Sequence, residues 1–567
     1  MDTHRVLKSL ENLARRPAFA WAVAAALGVV SMVPNRFIMN PDGISYLNLA
    51  TQYLRGDWSS AVNGYWSPLY PLVLAATLRV VPASASMEST VVHALTFLIY
   101  LGTFASFRYF LSELRASRIQ EQGSEEDDQP LMLTFQAIAV VACAYALFFW
   151  CALSLIGFAL VTPDMIVALL LFAAAGVAIR MRREGTRFGW VGLGAIIGLA
   201  YLTKAVMFPL GIVMCLCCGV PAIPRVALRR SGLAFAGFLL VASPQLVAMS
   251  RLAGHFSYGE SGTVAYANEV NRTPKFWVGL PAGSGTPEHP MRLVSRDPWA
   301  YEFSLPNTSF SNPSSDQLAY WMEGVEPRVS MAQQLGVTRR IIGWYIGTFE
   351  ILVFASLALF LLRKRVTLRY VSLIVPALAA FGIYALVYAE SRYVGAWVVI
   401  LFLCFGASIE FDKKTRRGVA AVMGALSIFY GFSTLNLTRS EAMDAIALAR
   451  NPHPHPQLET AVELQKLGIK PGSRVAGVGY LFNSYWARLA GVQIAMQVPN
   501  DTAYSAAPDS VRQQIVSAFK DAGAVAVISV GKPTAGPGET WQRLGPAGYW
   551  VLLLAADDHV LPAESSR

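Results

Sequence analysis

The chain has 567 residues, of which 54% are hydrophobic and 14% are charged, whereas soluble proteins average about 25% charged residues. This composition excludes a soluble domain with a single anchor and indicates a polytopic membrane protein. The net charge of +10 is typical of basic loops on one face of a membrane, so we expect no nucleic-acid partner.

Apolar runs of roughly 17–25 residues are long enough to cross a bilayer. The stretch 188–220 is too long for one helix and has Lys204 in its middle, so we predict two short spans that meet there. The predicted fold class is therefore a polytopic α-helical membrane protein with about eleven transmembrane helices. The predicted spans are 18–36, 89–111, 131–153, 163–180, 188–203, 204–220, 231–250, 339–362, 370–389, 391–410 and 418–436.

Basic residues fall mainly in alternate loops between these spans. One set of loops contains twenty-one Lys and Arg residues, whereas the other set, outside the segments 251–338 and 437–567, contains five: Arg36, Arg55, Arg79, Lys204 and Arg392. The positive-inside rule places the first set in the cytoplasm. We therefore expect a cytoplasmic N-terminus and, after eleven spans, an extracytoplasmic C-terminal segment.

Three long segments then face outwards. The first two, 37–88 and 251–338, are predicted to be outer loops of a membrane domain over 1–436. The third, 437–567, is predicted to be a soluble α/β domain. In the C-terminal segment, short strands alternate with helices, which is typical of a small α/β domain. The predicted strands lie near 474–480, 492–498, 524–530 and 549–555, and the predicted helices near 483–489 and 509–522.

Four ionisable residues lie at the predicted outer ends of spans, namely Asp42, Asp164, Lys204 and Arg392. Charges at membrane depth are costly and are functional hypotheses by default. Each also has a purely structural alternative: Asp42 and Asp164 can stabilise helix starts, Lys204 can extend to the interface, and Arg392 can pair with Glu390. If they share one cavity, the cations suit a lipid phosphate and a carboxylate can accept a hydroxyl proton.

The same residues lie in motifs that resemble GT-C glycosyltransferases. The branch is the one that contains protein O-mannosyltransferases and the lipid A aminoarabinose transferase. The segments around Ser257–Gly262 and Tyr320–Val325 additionally resemble an uncharacterised bacterial subgroup. In family order, the motifs are Asp42-x-x-x-Tyr46, Leu54-x-Gly56, Trp66-Ser67-Pro68-Leu69-Tyr70-Pro71-Leu72, Thr162-Pro163-Asp164-Met165, Gly198-Leu199-Ala200-Tyr201-Leu202-Thr203-Lys204 and Glu390-Ser391-Arg392-Tyr393.

This resemblance implies an inverting hexosyl- or pentosyltransferase that uses a polyprenyl-phosphate sugar, such as an undecaprenyl-phosphate sugar, at the outer face of the bacterial cytoplasmic membrane. It implies that Asp42 is the general base and that Lys204 and Arg392 bind the donor phosphate. Asp164 would orient the acceptor or a basic residue. The resemblance also implies a set of substrate-lining residues, whose aromatic members equally suit plain packing. The set is Tyr46, Tyr65, Trp66, Glu260, Glu390 and Tyr393.

One position departs from the family pattern. Many relatives have Asp-Glu at the first motif, whereas this chain has Asp42-Gly43. The missing acid weakens the case for a divalent metal at this loop, although Glu260 or Glu269 can contribute a ligand. We therefore expect no cofactor and do not favour a metal.

Other functions stay open at the level of sequence. A lipid-linked sugar flippase or transporter also needs intramembrane charges, but it predicts internal repeats with broken helices, and none is apparent. A polyprenyl-linked oligosaccharide transferase or ligase uses the same chemistry with a larger donor, and an inactive scaffold is the third alternative. The sugar is undetermined, and the acceptor can be a lipid, a glycan or a protein.

Overall fold

Helices make up most of the structure. The computed structural model describes residues 17–58, 62–122, 130–220, 222–273, 291–303, 325, 327–481, 483–536 and 538–554. Helices of the membrane region are α1 (Pro17–Asn35), α2 (Pro41–Arg55), α3 (Leu69–Val80), α4 (Ala85–Gln122), α5 (Pro130–Trp150, continued by a π-helical turn over Cys151–Ile156), α6 (Asp164–Glu184), α7 (Arg187–Thr203), α8 (Met207–Cys217), α9 (Pro224–Ala253), α10 (Ser261–Glu269), α11 (Met331–Leu361), α12 (Val371–Leu386), α13 (Ser391–Ala407) and α14 (Arg416–Arg450). The C-terminal helices are α15 (Pro456–Lys466), α16 (Tyr485–Ala490), α17 (Asp501–Ala506) and α18 (Asp509–Asp521).

The predicted spans correspond to these helices. Among the described residues, seven helices are long and apolar enough to cross a membrane. Four shorter apolar helices, α7, α8, α12 and α13, occupy the remaining predicted spans. Each of the eleven predicted spans therefore contains a helix, and the predicted fold class is confirmed.

The predicted break at Lys204 is present. Helix α7 ends at Thr203, and Lys204 has extended backbone angles (φ −154°, ψ 124°), so the helix cannot continue through it. Helix α7 is itself held by a very close approach to α9. A Cβ atom on Gly194 would lie 1.8 Å from the Ala234 carbonyl oxygen, so only glycine permits this helix–helix contact.

The C-terminal region contains a seven-stranded mixed sheet. Its order is β1-β2-β6-β5-β7-β9-β8, and the central strand β5 is parallel to both β6 and β7. Helix α18 packs on one face through Ile515 and Phe519, while the other face continues into the apolar core of the helical region. The strands are β1 (Met291–Arg296), β2 (Trp299–Phe303), β5 (Arg474–Val478), β6 (Gln493–Val498), β7 (Ala524–Val530), β8 (Gln542–Leu544) and β9 (Tyr549–Leu553), and a separate hairpin pairs β3 (Arg363–Val366) with β4 (Ile409–Phe411).

Two features differ from the segment boundaries that the sequence suggests. Strands β1 and β2 come from the second outer loop, 251–338, and β2 pairs with β6 to extend the C-terminal sheet. Helix α14 continues without a break past residue 436 to Arg450. The sheet therefore draws on two distant chain segments, because a β-hairpin can satisfy an open strand edge from any point in the sequence.

Candidate functional site

A cavity of about 1060 Å³ lies where α2, α6 and α13 begin and α7 ends. Its wall is completed by residues 255–269 of the second outer loop and by the end of α12. The sequence-predicted site residues all lie on this wall, namely Asp42, Tyr46, Tyr65, Trp66, Asp164, Lys204, Glu260, Glu390, Arg392 and Tyr393.

Asp164, the first residue of α6, binds both cations of the cavity. The Lys204 ammonium donates to Asp164 Oδ1 at 2.6 Å, and Arg392 Nη1 lies 3.6 Å from Asp164 Oδ2. The Asp164 side chain is 3% exposed, so it is a buried anion between two positive charges. A role for Asp164 in the helix start alone is therefore wrong, and the Lys204 ammonium is paired with Asp164.

Arg392 contacts three carboxylates. Besides Asp164, its Nη2 lies 3.3 Å from Asp42 Oδ2, and its Nε donates to Glu390 Oε2 at 2.5 Å. The Tyr388 hydroxyl donates to the other oxygen of Glu390 at 2.6 Å. The expected Arg392–Glu390 pair is therefore present. The same guanidinium also contacts Asp42 and Asp164.

These five charged residues, Asp42, Asp164, Lys204, Glu390 and Arg392, form what we call the cavity cluster. It contains three carboxylates and two cations, so it has one more negative than positive group when all five are ionised. The Tyr393 ring lies beneath it, with the Lys204 ammonium 3.4 Å from the ring centroid, a cation–π contact. The cluster therefore fixes both cations on the cavity wall.

Asp42 lies in the first turn of α2 but does not cap it. The helix begins at Pro41 with Asn40 in the N-cap position, and no side chain caps it. The Asn40 side chain instead accepts a hydrogen bond from the Val161 backbone N–H at 2.9 Å, which fastens the start of α2 to the segment before α6. The capping alternative for Asp42 is therefore wrong, and its carboxylate faces the cavity with 33% of the side chain exposed.

Burial raises the pKa of Asp42 above its ordinary value of 3.8, although nearby Arg392 opposes this change. The neighbouring carboxylates of Glu390 and Asp164 raise this pKa further. Because a raised pKa makes a carboxylate a stronger base, the cavity favours proton transfer to Asp42.

The glycine after Asp42 has a packing explanation. A Cβ atom on Gly43 would lie 2.7 Å from both Met39 Sδ and Val161 Cβ. The space that a second acidic side chain would need is therefore filled by the protein itself. The absence of an acid at position 43 follows from how closely the start of α2 packs against its neighbours.

Aromatic side chains form the wall of the cavity next to Asp42. The ring centroids of Tyr46 and Trp66 are 4.8 Å apart, and those of Tyr65 and Trp66 are 4.7 Å apart. The Asn63 side chain holds this turn because it accepts hydrogen bonds from the Tyr65 and Trp66 backbone N–H groups at 2.8 and 3.0 Å. Such a rigid aromatic wall suits the apolar faces of a sugar ring.

Glu260 lines the cavity, but both of its carboxylate oxygens accept hydrogen bonds from neighbouring side chains. Its carboxylate accepts hydrogen bonds from Ser257 Oγ at 2.5 Å and from Thr263 Oγ1 at 3.1 Å, and it is buried. Its backbone N–H donates to the Gly64 carbonyl at 2.7 Å. Glu260 thus joins the second outer loop to the first, and the resemblance of Ser257–Gly262 to a bacterial subgroup pointed to this segment. Residues 320–324 of the other segment with that resemblance lie outside the described residues.

Several residues on the cavity wall were missed in the sequence. Tyr384 stacks on Tyr393 with ring centroids 5.3 Å apart, and Tyr388 binds Glu390. Both lie at the end of an apolar run, where tyrosines are ordinarily read as interfacial packing. The sequence signal that could have found them is their closeness to the Glu390 motif, which Tyr388 precedes by two residues and Tyr384 by six.

Comparisons with known proteins identify the fold. No family model matches the chain, and no curated protein matches it either. Among solved structures, the chain is similar to ArnT from Cupriavidus metallidurans bound to undecaprenyl phosphate, with a TM-score of 0.54 and 11% identity, covering 95% of this chain and 98% of that one. It also has a weaker likeness to the Archaeoglobus fulgidus oligosaccharyltransferase tethered to an acceptor peptide, with a TM-score of 0.42 and 12% identity, covering 90% of this chain and 68% of that one. The chain therefore has the GT-C fold.

Proposed function

We propose that this protein is an inverting glycosyltransferase that moves a sugar from a polyprenyl-phosphate donor to an acceptor hydroxyl. The observation that carries the proposal is the cavity cluster, in which two cations and a partly exposed carboxylate from separate chain segments meet. The likeness to an ArnT structure bound to undecaprenyl phosphate supports this choice of donor. The GT-C fold supports the reaction class.

Lys204 and Arg392 are the proposed ligands of the donor phosphate. Asp164 holds both cations side by side, and Arg offers the planar fork that suits phosphate oxygens. The Arg392–Asp42 contacts of 3.3 and 3.4 Å are longer than the roughly 2.7–2.9 Å of strong charge-assisted bonds. An incoming phosphate can therefore replace Asp42 at the guanidinium with little loss of bonding.

Asp42 is the proposed general base. The acceptor hydroxyl gives its proton to Asp42 while its oxygen bonds to the anomeric carbon from the face opposite the phosphate. The bond between that carbon and the phosphate oxygen breaks, and its electron pair leaves with the phosphate. Lys204 and Arg392 offset the charge that develops on this leaving group. Once the phosphate has displaced Asp42 from Arg392, the carboxylate loses the contact that lowers its pKa and becomes a stronger base.

The reaction is proposed to need no metal. Asp164 and Glu390 are engaged with Lys204 and Arg392, and the oxygens of Glu260 are hydrogen-bonded to Ser257 and Thr263. These carboxylates are therefore occupied with positioning the cations and the loops. Transfer is expected to continue in the presence of EDTA, and its complete loss would refute this part of the proposal.

The cavity is proposed to open on the outer face of a bacterial cytoplasmic membrane. The twenty-one Lys and Arg residues of the alternate loops support a cytoplasmic location for the opposite ends of the helices. The N-terminus is then cytoplasmic, and the C-terminal sheet lies on the same side as the cavity. A lipid, glycan or protein hydroxyl on that side can serve as the acceptor.

The test is sugar transfer from defined polyprenyl-phosphate sugars by purified wild-type protein and by Asp42→Asn. The substitution keeps the shape of the side chain but removes its basicity, so we expect kcat to fall about 10²–10⁴-fold while polyprenyl phosphate still binds. In the wild type, kcat/KM should fall as the pH drops through the pKa of Asp42, which lies above 3.8, because protonation removes the base.

The matched control is Asp412→Asn. Asp412 is 52% exposed and pairs with Lys364 in a loop that the charge pattern assigns to the opposite face. Its variant should transfer sugar at the wild-type rate. Full turnover by Asp42→Asn would show that Asp42 is not the base.

A further inference from the structure

A second buried charge cluster joins the C-terminal domain to the membrane region. Arg488 of α16 donates through Nε and Nη2 to the two carboxylate oxygens of Glu88, at 3.0 and 2.7 Å. Glu88 lies in the first turn of α4, and the Tyr485 hydroxyl also donates to it at 2.9 Å. The Arg488 and Glu88 side chains are 8% and 14% exposed, so this bidentate ion pair is shielded from solvent.

The same guanidinium also binds the helix that carries Asp42. Arg488 Nη1 donates to Asn48 Oδ1 at 2.8 Å, and Nη2 donates to Thr51 Oγ1 at 3.1 Å. Asn48 and Thr51 lie on α2, six and nine residues after Asp42, which corresponds to about 9 and 14 Å along the helix. We call Arg488, Glu88, Asn48, Thr51 and Tyr485 the interface cluster.

Stacked rings also connect the C-terminal domain to the segment that precedes α2. The His455 ring stacks on Phe37, with centroids 4.7 Å apart, and on Tyr485, with centroids 6.2 Å apart. Phe37 lies four residues before the first residue of α2. The C-terminal domain thus contacts α2 near its middle and the segment immediately before it.

We propose that Arg488 is a positioning residue, through which the C-terminal domain fixes α2 and thereby sets Asp42 against Arg392. This inference rests on the proposed function of Asp42. The planar fork is essential to it, because one guanidinium must bind Glu88 of α4 and Asn48 of α2 at the same time. A lysine can keep a single charge contact with Glu88 but cannot reproduce that geometry.

The test compares Arg488→Gln and Arg488→Lys with Arg512→Gln in the full-length protein. Arg512 is a matched control, because its side chain is 6% exposed and it binds Asp509 and the Thr534 carbonyl entirely within the C-terminal domain. Sugar transfer, polyprenyl phosphate binding and hydrogen exchange of the peptide 41–55 are measured for each variant.

We expect Arg488→Gln to lower kcat about 10- to 100-fold, since a displacement of about 1 Å is sufficient for such a loss, with donor KM changed less than about threefold. Hydrogen exchange in 41–55 should rise for Arg488→Gln and stay at the wild-type level for Arg512→Gln. Arg488→Lys should retain more thermal stability than Arg488→Gln, because it keeps a positive charge beside Glu88, and should still lose turnover.

The outcomes separate this inference from the proposed function. If Asp42→Asn abolishes transfer while Arg488→Gln behaves like Arg512→Gln, the positioning role of Arg488 is refuted and the proposed function stands. If Asp42→Asn retains full transfer, the proposed function fails whatever Arg488 does. A loss of turnover in Arg488→Gln without faster exchange in 41–55 would also refute the inference.

Discussion

The cavity cluster and the interface cluster both join charged side chains from distant segments, but they differ in exposure and in how closely their groups are paired. In the interface cluster, the hydrogen bonds of Arg488 to Glu88, Asn48 and Thr51 are between 2.7 and 3.1 Å long. In the cavity cluster, those of Arg392 with its carboxylates range from 2.5 to 3.6 Å, and Asp42 is 33% exposed. The interface cluster therefore has the geometry of a fixed contact between segments. The cavity cluster has the geometry of a site in which a ligand can replace one of the partners.

The physical reason lies in the cost of burying charge. A buried ion pair offsets its desolvation only when the geometry is good and the remaining hydrogen-bonding capacity is used. Arg488 meets this condition with Glu88, Asn48 and Thr51. Arg392 instead shares its guanidinium among three carboxylates at unequal distances, so a phosphate can compete for it.

Loss of a cavity cation should weaken donor binding strongly. Lys204→Gln removes the ammonium that Asp164 holds, and a hydrogen bond to a charged group is worth about 1.5–3 kcal/mol. We therefore expect the Kd for undecaprenyl phosphate to rise about 10- to 150-fold in a titration in lipid nanodiscs. Lys364→Gln is the control, because Lys364 is 64% exposed and pairs with Asp412. An equal Kd for the two variants would show that Lys204 does not bind the phosphate.

A methyl group behind Asp42 should disturb the wall of the cavity. Gly43→Ala places a Cβ atom 2.7 Å from Met39 and Val161, and overpacking of this kind costs typically about 1–3 kcal/mol. Thermal unfolding should therefore shift to lower temperature. Gly192→Ala in α7 is the control, since a Cβ atom there meets nothing within 4 Å and Ala favours the helix. If Gly43→Ala unfolds at the same temperature as the wild type or at a higher one, the start of α2 is not tightly packed.

The joint between the domains should be sensitive to acid. Burial lowers the pKa of His455 to about 4, from an ordinary value of about 6.5, so the unfolded chain binds more protons between these two pH values. Stability should therefore decrease as the pH falls from about 6.5 to about 4. His455→Phe, which keeps a ring beside Phe37, should reduce this decrease, measured as the melting temperature across that range.

His453→Gln is the control for this smaller effect. His453 is 54% exposed and contacts Glu459 rather than the ring stack, so its variant should keep the acid-side decrease. An unchanged pH dependence in His455→Phe would show that the stack does not contribute to it.

The helical region follows closely from the sequence. Apolar run length predicted a helix in each of the eleven spans, and the position of Lys204 predicted the break between α7 and α8. These features are local, because each depends only on the residues of its own segment and on the thickness of a bilayer. The extra strands β1 and β2 were not predicted, since β2 joins the sheet by pairing with β6, which lies about 200 residues further along the chain.

The residues of the two charge clusters also differ in whether the sequence could identify them. Asp42, Asp164, Lys204 and Arg392 could be singled out because charged residues are rare near spans. Arg488 could not, because an arginine in a short helix of a polar segment is typical of an exposed surface. Only the packing of α16 against α2 and α4 makes it a buried ligand of Glu88.

The sequence by itself thus determined the class of the protein, the positions of its apolar helices and the unusual charges at their ends. The tertiary structure decided which charge contacts which: Asp164 with both cations, Asp42 with Arg392, and Arg488 with Glu88 and Asn48. It also showed that Gly43 packs where a second acid would lie. Hydropathy acts along the chain and can be read there, whereas ion pairing and close packing depend on distances between segments that only the folded chain brings together.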